Sequence, residues 1–241
     1  MNRIRKLLYL FYYSLFFTFF IRSVTNDPIK QILIILKHLK IKLIFDVGAN
    51  TGQFGLQLYS NGYKGKMVSF EPLPDAHKKL QSVASITEGW TVYPRCCLGN
   101  KEENVDFNIS ENSVSSSVLA MLQSHINAAP NSKFIGTIHT PMYKLDNIAK
   151  KYELTKFKYF IKIDTQGFEW EVLNGSTETL SNASGCLCEL SLTPLYEDQH
   201  LWMEIINWFE VKGFTLWAIQ NGFINKSTGR TLQIDAIFIR A

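Results

Sequence analysis

The chain has 241 residues, enough for one α/β domain with a short appendage. Apolar residues make up 46% of the sequence and charged residues 19%, a balance that supports a sizeable core and argues against global disorder. The net charge is only +4 and the Lys and Arg residues are scattered, so composition does not indicate a nucleic-acid partner.

The pattern of the first 42 residues predicts an N-terminal helical segment with two parts. Residues 7–21 run for fifteen positions without a charge, and eight of these residues are Phe or Tyr. A membrane-spanning helix needs roughly 18–20 such residues, and aromatic side chains favour the membrane interface. Three interpretations stay open: a helix packed on the domain or in a homodimer interface, peripheral attachment to the inner face of the membrane, or a span. Residues 26–40 then predict an amphipathic helix with Pro28 in its first turn.

Residues 43–241 alternate between strand and helix patterns, which predicts one α/β domain. The predicted strands cover residues 43–47, 66–72, 90–99, 104–110, 134–143, 159–164, 185–192, 214–220 and 233–240. The predicted helices cover residues 52–62, 74–84, 144–152, 169–180 and 201–213. Repeated strand–helix units imply a mainly parallel sheet covered on both faces. The last two strands have no helix between them, which implies an antiparallel C-terminal edge.

The four cysteines form two close pairs, Cys96 with Cys97 and Cys186 with Cys188, in apolar runs that are typical of strands. Neither pair has the C-x-x-C spacing of a zinc knuckle or redox site, although a site built from all four thiolates stays open. We expect buried, reduced thiols in a reducing compartment, which favours a cytoplasmic location.

The stretch IFDVGANTGQFG, residues 44–55, places a glycine-rich turn between a strand and a helix. It matches neither the P-loop nor the dinucleotide fingerprint. What remains is D-x-G-x-N-x-G, formed by Asp46, Gly48, Asn50 and Gly52. The two glycines allow a tight turn and a close approach of the backbone to a ligand. The Asp46 carboxylate would repel a pyrophosphate but favours an ammonium or sulfonium group.

Glu71, at the end of the second predicted strand, adds another carboxylate to this turn. An acid in that place accepts hydrogen bonds from both hydroxyls of a ribose. A cationic, phosphate-free ligand that carries adenosine is S-adenosylmethionine, so we predict this cofactor. The alternative is an ordinary strand–helix turn that contains Gly and Asp by chance.

Six stretches of the sequence then occur in a characteristic order: FDVGANTG, VSFEPLPDAHKKL, SVSSSVL, YKLDNI, IKIDTQGFEWEVLNG and CLCELS. Over residues 43–240 the chain resembles the FkbM family of S-adenosylmethionine-dependent methyltransferases. The resemblance implies the Rossmann-like, seven-stranded methyltransferase fold and methylation of an oxygen, often on a sugar of a glycoside or surface polysaccharide. It also implies that Leu98 lies near the adenine.

Asp164 and Glu189, at the ends of neighbouring strands in this fold, are the predicted catalytic residues. Asp164 can take the proton of an attacking hydroxyl, or the two carboxylates can bind a divalent cation that acidifies it. A structural alternative is that Asp164 caps the following turn. His139 and His125 are alternative bases.

Ser116, in the serine-rich stretch, is expected to lie over the cofactor, although a solvated polar loop is the alternative. We expect an oxygen methyltransferase with a carbohydrate or glycolipid acceptor, no nucleic-acid partner and contact with a membrane surface through residues 7–21. One alternative is a nitrogen methyltransferase that acts on a sugar or small metabolite, although the Asn/Asp-Pro-Pro-aromatic tetrapeptide that favours nitrogen does not occur. The other is a membrane-docked binding subunit with a vestigial cofactor pocket.

Overall fold

Ten strands are present in the computed structural model, which describes residues 27–240. In chain order the strands are β1 (Leu43–Val47), β2 (Lys66–Phe70), β3 (Trp90–Val92), β4 (Cys97–Leu98), β5 (Glu103–Ser110), β6 (Phe134–Tyr143), β7 (Tyr159–Ile163), β8 (Gly185–Ser191), β9 (Thr215–Asn221) and β10 (Gln233–Ile239). The predicted apolar segment 7–21 lies outside the described residues.

The α-helices of this part of the chain are mostly short. They are α1 (Pro28–His38), α2 (Gln53–Ser60), α3 (Pro74–Ala84), α4 (Gln123–Ala128), α5 (Leu145–Ala149), α6 (Glu169–Asn174), α7 (Thr177–Asn182) and α8 (Trp202–Val211). Between residues 27 and 240, no helix is both long enough and apolar enough to cross a membrane.

The main sheet has seven strands in the order β3-β2-β1-β7-β8-β10-β9. The pairs from β3 to β8 are parallel, whereas β10 runs antiparallel to both of its neighbours. The predicted mainly parallel seven-stranded sheet with an antiparallel C-terminal pair is therefore confirmed. The antiparallel strand β10 is inserted between β8 and β9 and does not form the edge. The strand order reverses between β1 and β7, which is where ligands bind in open sheets of this kind.

The predicted strand 90–99 is wrong as a single element. It divides into β3, which joins the main sheet, and β4, which pairs with β6 in a separate three-stranded sheet of order β4-β6-β5. Pro94 stands between the two pieces, where a residue without an N–H cannot continue a ladder.

The predicted helix 169–180 also divides, into α6 and α7, at Gly175. The α-carbon of Gly175 packs so closely on the carbonyl of Gly99 that a Cβ atom there would overlap it.

Two cores hold helices against opposite faces of the main sheet. Helix α1 packs through Ile32, Ile35 and Leu36 on the same face as Ile44 of β1 and Phe160 of β7. Helices α6 and α8 belong to the larger core on the other face. Asp27 caps α1 by accepting hydrogen bonds from two backbone N–H groups, and Pro28 follows in the first turn, as predicted. All four cysteines are free and buried.

Trp90 of β3 fixes α2 on this sheet. Its indole N–H donates to Ser69 Oγ at 2.9 Å, and its ring stacks on Tyr59 with centroids 5.4 Å apart. Gly55 lies directly under the indole, and a Cβ atom at this position would overlap the ring. Only glycine allows this approach.

We expect Gly55→Ala to destabilise the protein by about 1–3 kcal/mol, because overpacking against a buried indole outweighs the gain in helix propensity. Urea unfolding followed by circular dichroism measures the free energy. Gly136→Ala is the control, since no atom lies within 4 Å of its added Cβ. Equal stabilities of the two variants would contradict this packing.

Candidate active site

A cleft opens beyond the C-terminal ends of β1, β2 and β7. Its apolar lining includes Phe70, Leu73, Leu98, Phe107, Val118 and Phe168. Its polar side chains are Asn50, Glu71, Ser113, Ser116, Asp164, Thr165 and Gln166. The cleft therefore joins the turn after β1 to the turn after β7, as the strand order requires.

The turn after β1 is built from left-handed residues. Gly48 has φ +74°, Asn50 +47° and Gly52 +91°. Gly48 packs on the carbonyl of Asp164 so closely that a Cβ atom would overlap it. Gly52 begins α2 and faces Leu80, so it does not line the cleft. The predicted contact of Gly52 with the cofactor stays a prediction.

Glu71 lies in the cleft wall at the end of β2, with 4% of its surface exposed. Its Oε2 accepts from the backbone N–H of Asn50 at 2.7 Å, and its Oε1 accepts from that of Leu73 at 2.8 Å. Burial raises the pKa of Glu71 to about 7, against the lowering effect of these two hydrogen bonds. Each carboxylate oxygen keeps acceptor capacity for one further donor.

Lys162 of β7 is a site residue that the sequence analysis missed. Its Nζ donates to the carbonyl oxygens of Gly48 at 2.7 Å and Val47 at 3.3 Å. It also lies 3.4 Å from Asp46 Oδ1 and 3.5 Å from Asp164 Oδ2. Burial alone would lower the pKa of Lys162, but the surrounding carboxylates outweigh it and raise the pKa. A single charged residue within the otherwise apolar strand YFIKI was the available signal.

Asp46 is fully buried beneath the turn and does not line the cleft. It accepts a hydrogen bond from Ser69 Oγ at 2.9 Å and meets the ammonium of Lys162. The ammonium group next to Asp46 in this structure is therefore that of Lys162, a residue of the same chain. Asp46 positions Lys162 and the turn, and its predicted contact with the cofactor stays a prediction.

Gln166 joins the two predicted catalytic carboxylates. Its Nε2 donates to Asp164 Oδ1 at 3.0 Å and to Glu189 Oε2 at 2.7 Å. Tyr196 donates its hydroxyl to Gln166 Oε1 at 3.1 Å, which fixes the orientation of the amide. Gln233 Nε2 donates to the same Glu189 oxygen at 2.6 Å. Burial, together with the neighbouring carboxylates, raises the pKa of Glu189 well above its usual range.

These carboxylates do not fit a shared metal ion. The amide nitrogen of Gln166, a hydrogen-bond donor, stands between Asp164 and Glu189, and Lys162 approaches the other oxygen of Asp164. Among residues 27–240, no group of three or more His, Cys, Asp or Glu side chains could hold a metal.

Glu169 holds the turn after β7 in place. Its Oε1 accepts from the backbone N–H groups of Thr165 at 2.8 Å and Gly167 at 3.2 Å. The side chain is buried, and burial raises its pKa to about 7. The turn is thus fixed by Glu169 and leaves Asp164 free to face the cleft, contrary to the alternative that Asp164 is a capping residue.

The serine-rich stretch covers the cleft. Ser116 lines it as predicted, with its Oγ accepting from the backbone N–H of Ser110 at 2.9 Å. Ser113 Oγ accepts from Asn50 Nδ2 at 3.3 Å, and Ser117 Oγ donates to the carbonyl of Gln166 at 2.8 Å. These contacts join the serine-rich stretch to the turn after β1 and to the turn after β7.

Neither alternative base lines the cleft. His125 is buried beside Tyr196, and burial lowers its pKa to about 4. His139 is exposed on the small sheet, with its Nδ1 2.6 Å from Asp106 Oδ1. Asp164, with 35% of its side chain exposed, is better placed than either.

Comparisons with known proteins identify one family model and several solved structures that are similar to the chain. A family model described as the methyltransferase FkbM domain matches residues 46–216. Magnesium protoporphyrin IX methyltransferase from Synechocystis PCC 6803 aligns with a TM-score of 0.47 at 12% identity, covering 92% of this chain and 82% of that one. A putative tRNA (m1A22) methyltransferase from Streptococcus pneumoniae aligns with a TM-score of 0.46 at 12% identity, covering 85% and 72%. Among curated protein sequences, none matches the chain.

The buried carboxyl groups predict an unusual dependence of stability on pH. Five carboxyls have raised pKa values in the folded state: Asp46, Glu71, Glu169, Glu189 and Asp235. Since the folded protein binds more protons than the unfolded chain, its stability falls as pH rises through about 7, the value for three of these groups. His125 has the opposite effect, but only below pH 6.5, its ordinary pKa.

We expect the free energy of unfolding of the ligand-free protein to be at least about 2 kcal/mol lower at pH 8 than at pH 6. Urea titrations at the two values measure it. Glu169→Gln should reduce the difference, because it removes one titrating group. A free energy of unfolding that is constant or rises between pH 6 and pH 8 would contradict the premise that burial raises the pKa values of these carboxyl groups.

Proposed function

The chain belongs to the FkbM methyltransferase family, and on this premise we propose that it transfers the methyl group of S-adenosylmethionine to a hydroxyl oxygen of a carbohydrate or glycolipid. The observation that best supports transfer to an oxygen is the environment of the Asp164 carboxylate. This carboxylate ends β7 at the reversal of strand order, faces the cleft, and is held on one oxygen by Gln166 and near the other by Lys162.

The residues of the cleft fit this cofactor. Glu71 is a buried acceptor at the place where a ribose would offer its two hydroxyls, and Leu98 belongs to an apolar lining suited to adenine. Asn50 and the turn after β1 border the rest of the cleft. When bound, the cofactor supplies an electrophilic methyl group.

Asp164 acts as the general base in this proposal. A neutral hydroxyl is a weak nucleophile, and Asp164 would accept its proton as the oxygen bonds to the methyl carbon. The bond from that carbon to the sulfur of the cofactor would break in the same step, with S-adenosylhomocysteine as the leaving group. The amide of Gln166 donates to one oxygen of the carboxylate and so orients it, and the ammonium of Lys162 lies 3.5 Å from the other oxygen.

In this proposal Glu189 acts through Gln166. Burial and the neighbouring carboxylates raise the pKa of Glu189 well above its usual range, which disfavours its charged form. It accepts the second N–H of Gln166 and so positions the amide that orients Asp164. Glu189 is therefore a positioning residue.

We expect Glu71→Gln to weaken binding of S-adenosylhomocysteine at least about tenfold, because a charged acceptor of the ribose hydroxyls is lost. Isothermal titration calorimetry at pH 8 measures the affinity. Glu88→Gln, an exposed change of the same type, is the control and should bind normally. Unchanged affinity of Glu71→Gln would rule out its contact with the ribose.

We expect Asp164→Asn to lower methyl transfer about 10²–10⁴-fold, since it keeps the shape of the side chain but cannot accept the proton. Incorporation of radiolabelled methyl groups into a total glycolipid and polysaccharide extract measures the rate. Binding of S-adenosylhomocysteine should persist, and Asp75→Asn, an exposed change on α3, should be fully active.

The same assay tests the metal alternative. EDTA should leave the rate unchanged, because the amide of Gln166 separates the two carboxylates. A loss of activity that Mg²⁺ or Mn²⁺ restores would contradict this assignment, and normal turnover of Asp164→Asn would show that the base is another group.

A further inference from the structure

A second groove lies between α1 and α2 on one face of the main sheet. It shares four lining residues with the cofactor cleft: Gly48, Asn50, Val114 and Asp164. The two spaces therefore meet at the proposed base. A molecule in the second groove would reach Asp164 from a space that Glu71 does not line.

Fixed elements form the walls of this groove. Gln53, Phe54 and Gln57 come from α2, whereas Leu187 and Asp235 come from strands β8 and β10. On the opposite wall, α1 is tied to the sheet by Gln220, whose Nε2 donates to the carbonyl of Pro28 at 3.0 Å and to Gln31 Oε1 at 2.9 Å. The groove is thus part of the folded architecture.

The charges that line the groove disfavour an anion. Asp27, Asp164 and Asp235 contribute carboxyl groups, and Lys162 is the only cationic side chain among the lining residues in the described part of the chain. Asp27 is paired with Lys30 at 3.4 Å, and burial raises the pKa of Asp235 to about 7, so the negative charge is concentrated at Asp164. The ammonium of Lys162 is already engaged by a backbone carbonyl and by two carboxylates. A phosphate or sulfate next to the base would therefore meet a surplus of negative charge.

The remaining polar groups of the groove suit hydroxyls. Gln53 and Gln57 are exposed, and because they are four residues apart on α2 they lie on the same helix face. An amide both donates and accepts hydrogen bonds, as a hydroxyl does. The partly exposed Phe54 lies beside them and offers an apolar surface to the ring carbons of a cyclic polyol.

We propose that the groove between α1 and α2 is the acceptor site, and that it binds an uncharged, hydroxyl-rich ring oriented by Gln53 and Gln57 with the reacting hydroxyl at Asp164. This inference rests on the proposed function and goes beyond it in two respects. It assigns the residues that hold the acceptor, and it excludes phosphorylated sugars as the part of the acceptor next to the base.

Saturation-transfer difference NMR on the full chain tests this assignment. The protein, saturated with S-adenosylhomocysteine, is mixed with methyl glycosides of glucose, galactose, mannose and rhamnose, and separately with glucose 1-phosphate. At least one neutral glycoside should receive saturation, and glucose 1-phosphate should receive none above background. Binding of the phosphate in preference to every glycoside would overturn the inference, and so would binding of neither.

Variants on α2 locate the site. The double variant Gln53→Ala/Gln57→Ala should reduce the glycoside signal at least about fivefold, because two amide contacts are lost. Gln81→Ala, an exposed glutamine on α3, is the matched control and should keep the signal. Gln57→Lys should gain binding of glucose 1-phosphate by adding a cation to the groove. An undiminished glycoside signal in the double variant would show that the ring binds elsewhere.

Calorimetry with S-adenosylhomocysteine on the same samples distinguishes a failure of the proposed function from a failure of the acceptor-site assignment. If the nucleoside fails to bind the wild-type chain, the proposed function fails. If it binds the wild type and the double variant equally while no neutral glycoside binds, the methyltransferase assignment stands and the acceptor assignment is wrong.

Discussion

The site depends on one buried ammonium, that of Lys162. A desolvated lysine costs several kcal/mol unless carboxylates and carbonyls surround it, and here it meets both. It joins the carbonyls that begin the glycine turn to the carboxylates of Asp46 and Asp164, which end β1 and β7. The left-handed φ of Gly48 allows this turn to close over the end of β7. The binding turn and the proposed base are consequently one electrostatic unit.

Gln166 joins this electrostatic unit to the serine-rich stretch that covers the cleft. Its side chain joins Asp164 to Glu189, while its backbone carbonyl accepts from Ser117 of the serine-rich stretch. The two carboxyl groups that it joins have different surroundings. Asp164 faces the cleft, whereas Glu189 is surrounded by amides and other carboxylates, and burial raises the pKa of Glu189.

Local patterns were sufficient for much of the architecture. β1, β6 and α3 have the bounds that were predicted, because periodicity and flanking turn residues define them within a few positions. The motif residues Asn50, Glu71, Leu98 and Asp164 do meet in one cleft. Spacing along the chain places these four, since the ends of parallel strands converge at the reversal point.

Other features depend on neighbours that are distant in sequence. Asp46 looked like a ligand-binding residue because nothing local shows that Lys162, more than a hundred positions later, satisfies it. The bridge of Gln166 to Glu189 requires the pairing of β7 with β8 and a left-handed residue in the turn. The separate sheet of β4, β5 and β6 arises from long-range pairing, which an apolar run with Pro94 at its centre does not specify.

The insertion of β10 between β8 and β9 also constrains the order of assembly. β9 has no partner in the sheet other than β10, and β10 is the last of the described strands to be synthesised. During translation, β1, β2, β7 and β8 can pair while the far edge of β8 is still open. An exposed strand edge invites pairing with other chains until it is covered. The nascent protein therefore passes through a stage in which the cofactor half is assembled and the sheet is still incomplete, a stage at which chaperone protection would matter most.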